Sequence, residues 1–303
     1  MYCDKIIIHN FFMEELMLKI FTDTSANLPK NLIEKYNLTV IPFTYSVDGE
    51  DYDYDMDGDF NGKAFYDAMR NGAYVKTSMI NIVSYIHPFE KALKDGFDVL
   101  YIGMSGGISG AANAAQVAVK ELKETYPNAK IAAIDTFAAS MGEGLFVIKA
   151  AEMINKGASF EEVVETIMTK RHKMCQFFTV DDLEYLKRGG RVSGTVAFIG
   201  SLLNIKPILR GDEIGRIIVC GKVRGMKQAL LTLADKYDKL ALDKSADISV
   251  AHADNEKDAD ALTELLRKKG FTGECIKVLY EPVTGSHVGP GTIALFFHGK
   301  EKS

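Results

Sequence analysis

The sequence predicts an α/β protein of two domains, the first with a largely parallel sheet covered by helices, the second with a mixed sheet. Three observations predict it. Short apolar runs alternate with longer helical patterns along the chain. The runs Asp98–Gly103 (DVLYIG) and Lys130–Asp135 (KIAAID) have continuously apolar centres, as strands buried on both faces of a parallel sheet do. Further on the strands crowd together: KPILR and GRIIVC meet across Gly211-Asp-Glu-Ile-Gly215, the spacing of a hairpin.

Strands are expected at Leu18–Thr22, Thr39–Val47, Asp98–Gly103, Lys130–Asp135 and Cys175–Val180, then at Ile205–Leu209, Arg216–Cys220, Asp247–His252, Cys275–Tyr280 and Thr292–Phe297. Between them helices are expected at Asn81–Lys94, Ala111–Tyr126, Ser140–Asn155, Met226–Leu242 and Glu256–Lys269. Ser159 and Glu162 have the spacing of a capping box and open a further helix. A seam at Asn155-Lys-Gly-Ala-Ser159 divides the chain into domains 17–158 and 159–303. Residues 1–16 read as an extension or a misassigned start, since the pattern of the first strand begins only at Leu18.

The 303 residues are 47% apolar and 25% charged, enough to bury a sizeable core. A net charge of −5 argues against non-specific binding to nucleic acid or to an anionic membrane surface. No run approaches the ~18 apolar residues of a membrane span. The N-terminal apolar run is split by His9 and Asn10 and lacks a cationic leader, so a secretory signal is not expected. Cys3, Cys175, Cys220 and Cys275 form no C-x-x-C pair, which excludes a zinc ribbon and fits a reducing, cytoplasmic setting. The histidines His9, His87, His172, His252 and His298 are scattered without metal-ligand spacing. The acidic stretch Asp48–Asp59 resembles the start of a calcium loop. Counted from Asp51, however, it has Met56 at position six and Gly62 at position twelve, so it reads as a solvated loop.

The most informative stretch of the first half is Gly103-Met-Ser-Gly-Gly-Ile-Ser-Gly110, between an apolar strand and an Ala-rich helix. Its glycines are not in G-x-G-x-x-G register and no Gly-Lys-Ser/Thr follows, so nucleotide-binding loops are excluded. Gly103-Met-Ser105-Gly-Gly107 does match G-x-S-x-G. With Asp135 and His287 or His298 in the required order, a serine hydrolase of the α/β-hydrolase type using Ser105 is the competing reading. Against it, four loop-like residues separate Ser105 from the helix. A third reading places Ser109 as the N-cap of that helix, where free N–H groups suit a carboxylate or phosphate.

These segments, taken together, are similar to a known family. Asp23-Thr-Ser25, Lys76-Thr-Ser-Met79 (read as opening a helix), Ile102–Gly110, Asp135–Gly142, Val180–Arg191 (VDDLEYLKRGGR), Ser201–Leu209 (SLLNIKPIL), Lys222-Val-Arg-Gly225 and Gly285–Gly291 (GSHVGPG) occur in the order found in the DegV family of bacterial fatty-acid-binding proteins. The chain resembles that family from about Leu18 to its C-terminus. The resemblance implies a long-chain fatty acid such as palmitate held between the two domains and presented to a separate ATP-dependent fatty-acid kinase. It implies no catalytic residue, no metal and no cofactor. The family's carboxylate contacts map onto Thr77 and Ser109, with Ser78 and Gly110 as neighbouring donors and His287 near the ligand head. Ala111 and Gly106 depart from the family pattern, which has threonine and serine there.

The chemistry is coherent. Each buried CH₂ contributes ~0.8 kcal/mol, so a 16-carbon tail offers about 11 kcal/mol before ordering costs. The carboxylate must replace the hydrogen bonds it gave to water, and neutral hydroxyls can do so while leaving it approachable. Phe177, Phe178, Leu186, Phe198, Ile199, Leu202 and Leu203 are candidate walls, though such residues are also ordinary core. Lys187-Arg-Gly-Gly-Arg191 reads first as a helix ending, its glycines allowing left-handed angles and its cations favouring the dipole, and second as a docking surface.

Overall fold

The computed structural model describes residues 17–54, 60–192 and 204–301. The chain runs β1 (Leu18–Asp23), α1 (Lys30–Lys35), β2 (Thr39–Ile41), β3 (Thr44–Val47), β4 (Glu50–Asp53), α2 (Gly62–Arg70), β5 (Val75–Ser78) and α3 (Ile82–Lys94). It continues with β6 (Asp98–Gly103), α4 (Ala111–Thr125), β7 (Ile131–Asp135), α5 (Met141–Asn155), α6 (Phe160–Lys170), β8 (Met174–Thr179) and α7 (Glu184–Arg188). The last stretch is β9 (Ile205–Gly211), β10 (Ile217–Arg224), α8 (Met226–Leu240), β11 (Ile248–His252), α9 (Glu256–Lys268), β12 (Cys275–Leu279), α10 (Pro282–Val288) and β13 (Ile293–His298).

The α/β class holds. One sheet, ordered β2-β1-β6-β7, is wholly parallel, with Leu18 opposite Asp98 and Val99 opposite Ile131. A second, ordered β10-β9-β8-β13-β11-β12, is mixed: β11 and β12 run parallel and the other pairs antiparallel. The expected hairpin joins β9 to β10. Its tip is held by Asp212 Oδ1, which accepts from Ile214 N and Arg216 N at 3.1 and 2.9 Å. The capping box at Ser159 and Glu162 is formed in both directions and starts α6. Helix α5 is buried over most of its surface because it packs against β1 and β6 of one sheet and β8, β11 and β13 of the other. Phe146 and Val147 of α5 thus share a core with Ile20, Leu100 and Ile134 on one side and Phe178, Leu209 and Phe296 on the other.

Three expectations need correction. The single strand Thr39–Val47 is two, β2 and β3, in different sheets. Pro42 separates them, having no N–H to continue a ladder. A third sheet, β4-β3-β5, was not expected. Its hairpin turns on Asp48 and Gly49, both with positive φ (51° and 97°), so the acidic stretch begins as a tight Asp-Gly hairpin; residues 55–59 of it lie outside the described residues. Finally, Lys76–Met79 does not open a helix. Lys76, Thr77 and Ser78 lie in β5, antiparallel to β3, with Thr77 opposite Tyr45.

Candidate ligand-binding site

Three elements far apart in sequence bring the site together. On β5 side chains alternate, so Thr77 turns inward while Ser78 is exposed. Ser109 closes the glycine-rich turn, in which Ser105 O accepts from Ile108 N and Ser109 N at 3.0 and 3.1 Å. His287 occupies the last turn of α10. Thr77 Oγ1 and His287 Nε2 share a hydrogen bond of 2.8 Å. Thr77, Ser109, His287, Thr284 and Arg191 line one cavity of about 50 Å³, whose other walls include Phe43, Met104, Ile108, Leu186, Ile217 and Val283. The volume suits a small polar head group and is far less than a long acyl chain occupies.

Burial, reinforced by Arg191 and Arg188, pushes the His287 pKa down to about 4, so the ring is neutral at pH 7. It rests against Gly189, where a Cβ would collide with Nδ1. The Gly-Gly pair therefore has two jobs. Gly189 admits the histidine, and Gly190, at φ 70°, ends α7: Gly190 N donates to Lys187 O and Arg191 N to Leu186 O, a Schellman motif. The reading of this segment as a helix ending is borne out, and the chain reversal it produces brings Arg191 to the cavity wall, its guanidinium donating to Gly189 O. Thr77, Arg191 and His287 also form the wall of an outer groove of about 190 Å³ that carries Lys76 and Arg188. The Arg188 guanidinium lies over the rings of Tyr74 and Tyr185.

Ser105 has a different fate. It is fully buried, its hydroxyl faces the carbonyls of Gly215 (3.1 Å) and Ile214 (3.3 Å), and its Oγ accepts from Gly107 N at 3.1 Å. Asp135 is engaged by Gly106 N and Phe137 N, and the two histidines of the hydrolase reading are committed to Thr77 and to the ring of Phe146. Among the described residues nothing supports a nucleophile at Ser105. The serine ties the glycine-rich turn to the tip of the β9–β10 hairpin.

The N-cap position of α4 falls on Gly110, one residue later than expected, because Ser109 still belongs to the turn. Its Oγ accepts from Ala111 N at 3.3 Å. Neither Gly110 nor Ser78 lines the cavity, and neither do the two departures, Gly106 and Ala111. Of the candidate walls, Leu186 lines it, whereas Phe178 belongs to the shared core and Phe177 packs on the other face of β8 with Leu233 and Phe297. Phe198, Ile199, Leu202 and Leu203 lie outside the described residues, as do residues 1–16.

Arg191 and Thr284 were not singled out as head-group residues in the sequence. Helix α10 was readable from Glu281-Pro-Val-Thr284: an acidic N-cap, then proline at the first helical position. Glu281 accepts from Thr284 N at 2.6 Å and from Val283 N. It is one of three buried acids behind the cavity wall, with Asp23 and Glu143. Tyr101 Oη donates to Asp23 at 2.5 Å and Thr22 Oγ1 to Glu143 at 3.0 Å, while the Ser25 hydroxyl faces both acids. That hydroxyl has one hydrogen, so satisfying both contacts requires a proton on one acid. Burial raises all three pKa values, that of Glu281 to about 7. Among the described residues no three His, Cys, Asp or Glu side chains are grouped to hold a metal, and no helix is long and apolar enough to cross a membrane.

Residues 17–300 match the family model described as uncharacterised protein, DegV family. A DegV domain-containing protein of Clostridium perfringens is 37% identical over 284 residues, covering 93% of this chain and 98% of that one. Among solved structures, a fatty-acid-binding DegV family protein of Thermus thermophilus superposes with a TM-score of 0.83 at 29% identity, over 93% of this chain and 99% of that chain. A fatty-acid-binding DegV family protein of Streptococcus agalactiae gives 0.82 at 31% identity, over 94% and 99%. With its sheets, its ordered motifs and nearly its whole length in agreement, the chain belongs to the DegV family.

Proposed function

We propose that this protein binds one long-chain fatty acid without transforming it, and presents the acid to a separate fatty-acid kinase in the cytoplasm. One observation carries the reading: Thr77, Ser109 and His287, the residues expected at the head group, converge on one largely apolar cavity. The fatty-acid binding of the Thermus thermophilus and Streptococcus agalactiae relatives supports the ligand class. In this reading the carboxylate takes hydrogen bonds from Thr77 and Ser109, with His287 orienting Thr77 and Arg191 supplying the opposite charge. Ser78 and Gly110 lie beside these contacts without facing the cavity, and act at most through their backbone. The acyl chain extends between domains 17–158 and 159–303, its burial supplying most of the affinity.

A binding rather than a catalytic role fits the chemistry of His287. A ring with a pKa near 4 is a poor general base at neutral pH, so the adjacent Thr77 hydroxyl serves as a hydrogen-bond donor and not as a nucleophile. Presentation to a kinase fits the outer groove, where Lys76, Arg188 and Arg191 meet the back of the head-group wall and offer cations to a phosphate donor. Mass spectrometry of gently purified protein tests the ligand: co-purified C14–C18 fatty acid is expected. Delipidated protein that neither carries nor rebinds such an acid defeats the reading. Recovery of an ATP-dependent kinase from cell extract on the immobilised, loaded protein tests the partner.

A further inference from the structure

A second cavity, of about 630 Å³, lies further along α5 and shares no lining residue with the head-group cavity. The head-group cavity meets the chain at Ala139, before α5 begins, whereas Leu145, Ile148 and Lys149 of the helix itself line the second one. The end of α6, the loop after α8 and the end of β13 close it. Lys149, Lys170 and Lys173 bring cations to this cavity, and no side chain among the described residues pairs with them. Other lysines of the protein do find acids: Lys94, Lys187 and Lys277 each sit within 3.0 Å of a carboxylate. Lys149 and Lys170 also converge on His298, whose ring packs edge-on against Phe146 and makes no hydrogen bond with the described residues. Burial, reinforced by these two lysines, pushes the His298 pKa down to about 4, so the ring is neutral at pH 7.

Three acids line the cavity too, but they do not neutralise the lysines. Asp243 accepts from Ser245 N and Oγ, Asp247 accepts from Glu274 N, and Glu152 forms no ion pair with Lys149 one helical turn away. The apolar part of the wall is Leu145 and Ile148, with Leu242 at 60% exposure. That exposure is built into the backbone. Leu242 N donates to His298 O at 3.1 Å, and Ala241 bridges to Gly299, so the leucine is held at the cavity.

We propose that this cavity is a second ligand site, for a soluble amphiphile made of a phosphomonoester and a short apolar chain. The phosphate lies among Lys149, Lys170 and Lys173, and the chain on Leu145, Ile148 and Leu242. Unpaired like charges brought together repel one another, and an anion removes that cost. A phosphomonoester carries a charge of about −1.5 to −2 at pH 7 and three acceptor oxygens, which suits several cations better than a single carboxylate does. The neutral His298 ring offers one further N–H. The volume falls in the range of about 300–1,000 Å³ typical of small-molecule sites. The far end of an acyl chain anchored at Thr77 would bring no charge to these lysines. The site therefore stands apart from the fatty-acid reading.

Isothermal titration calorimetry of the full chain with octyl phosphate and with inorganic phosphate tests the site. Wild type should bind octyl phosphate more tightly than inorganic phosphate by about tenfold, the scale of two buried CH₂ groups. Lys149→Gln combined with Lys170→Gln should weaken octyl phosphate by about tenfold and melt like wild type, since neither side chain pairs with another in the fold. Leu242→Ser should weaken octyl phosphate and leave inorganic phosphate unchanged. Thr77→Val combined with Ser109→Ala should leave both unchanged. No binding of octyl phosphate overturns the proposal, as do equal affinities for the two phosphates. Octyl phosphate retained by the lysine variant and lost from the Thr77→Val, Ser109→Ala variant places it in the head-group cavity, which also overturns the proposal. Loss of palmitate binding alone would count against the fatty-acid reading and not against this site.

Discussion

Ser105 and Ser109 stand four residues apart in one glycine-rich turn, and their surroundings separate structure from function. Ser105 is fully buried, with its Oγ spent on the β9–β10 hairpin and on Gly107 N. Ser109 is half-buried, makes one weak local contact to Ala111 N, and faces an apolar cavity beside Thr77 and His287. The motif that looks most catalytic, G-x-S-x-G, is thus a brace. The serine at its end lines the candidate site. A side chain whose hydrogen bonds are complete within the fold has nothing to offer a ligand, and one left half-satisfied at a cavity does.

The largest effect expected from this contrast is on affinity. Thr77→Val combined with Ser109→Ala should cost about 3–5 kcal/mol of fatty-acid binding, two hydrogen bonds to a charged group, with little loss of stability. A direct binding titration checks it, and unchanged affinity would erase the distinction between the two serines. Ser105→Ala should show the reverse. It leaves Gly107 N–H without its acceptor and loses the tie to the hairpin, so urea unfolding should report about 1–3 kcal/mol less stability while affinity stays near wild type. Labelling of Ser105 by a fluorophosphonate probe would break the brace interpretation outright.

A finer version of the comparison lies in Gly189 and Gly190. Gly189→Ala would put a methyl against His287 Nδ1 and should weaken binding by displacing the ring from Thr77, an effect of about 1–2 kcal/mol if one hydrogen bond is lost. Gly190→Ala has open space around it but a left-handed φ of 70°, so it should cost about 1 kcal/mol of stability and leave affinity alone. Affinity and melting measurements on both variants separate site from helix ending within two adjacent residues.

Much of this was legible in the sequence, for identifiable reasons. The parallel sheet was readable because DVLYIG and IAAID have continuously apolar centres, and the capping box at Ser159 because its chemistry is local. The sheet β4-β3-β5 was not, because its strands are only four residues long and lack a continuous apolar run, and only Asp48-Gly49 marked the turn. Thr77, Ser109 and His287 were found through the order of family motifs; spacing alone could not bring residues 77, 109 and 287 together. Arg191 was missed because its sequence context explains it fully as the end of α7. Only the three-dimensional course of that Schellman turn brings its side chain to the cavity wall.

The smallest expected effect is the pH dependence of stability, where the two sides of the cavity wall oppose each other. His287, lowered to about 4, binds a proton more readily unfolded, so its contribution is lost as pH falls from about 6.5 towards 4. Glu281, raised to about 7, binds a proton more readily folded, so its contribution is lost as pH rises from about 4.5 to 7. Between pH 4.5 and 6.5 the two slopes have opposite sign and largely cancel. Relative to wild type, Glu281→Gln should make the melting temperature climb more steeply with pH over this window, and His287→Asn should make it climb less. Two variants with the same pH profile as wild type would show that neither group is perturbed in the fold.

The central claim is that this chain carries a fatty acid whose head is held by Thr77 and Ser109. Delipidated wild-type protein and the Thr77→Val, Ser109→Ala variant, each incubated with a C14–C18 fatty acid and weighed intact by native mass spectrometry, test it most directly. The account predicts one fatty acid per wild-type chain and little or none on the folded variant. Wild-type chains without fatty acid, or a variant loaded as fully as wild type, would contradict it.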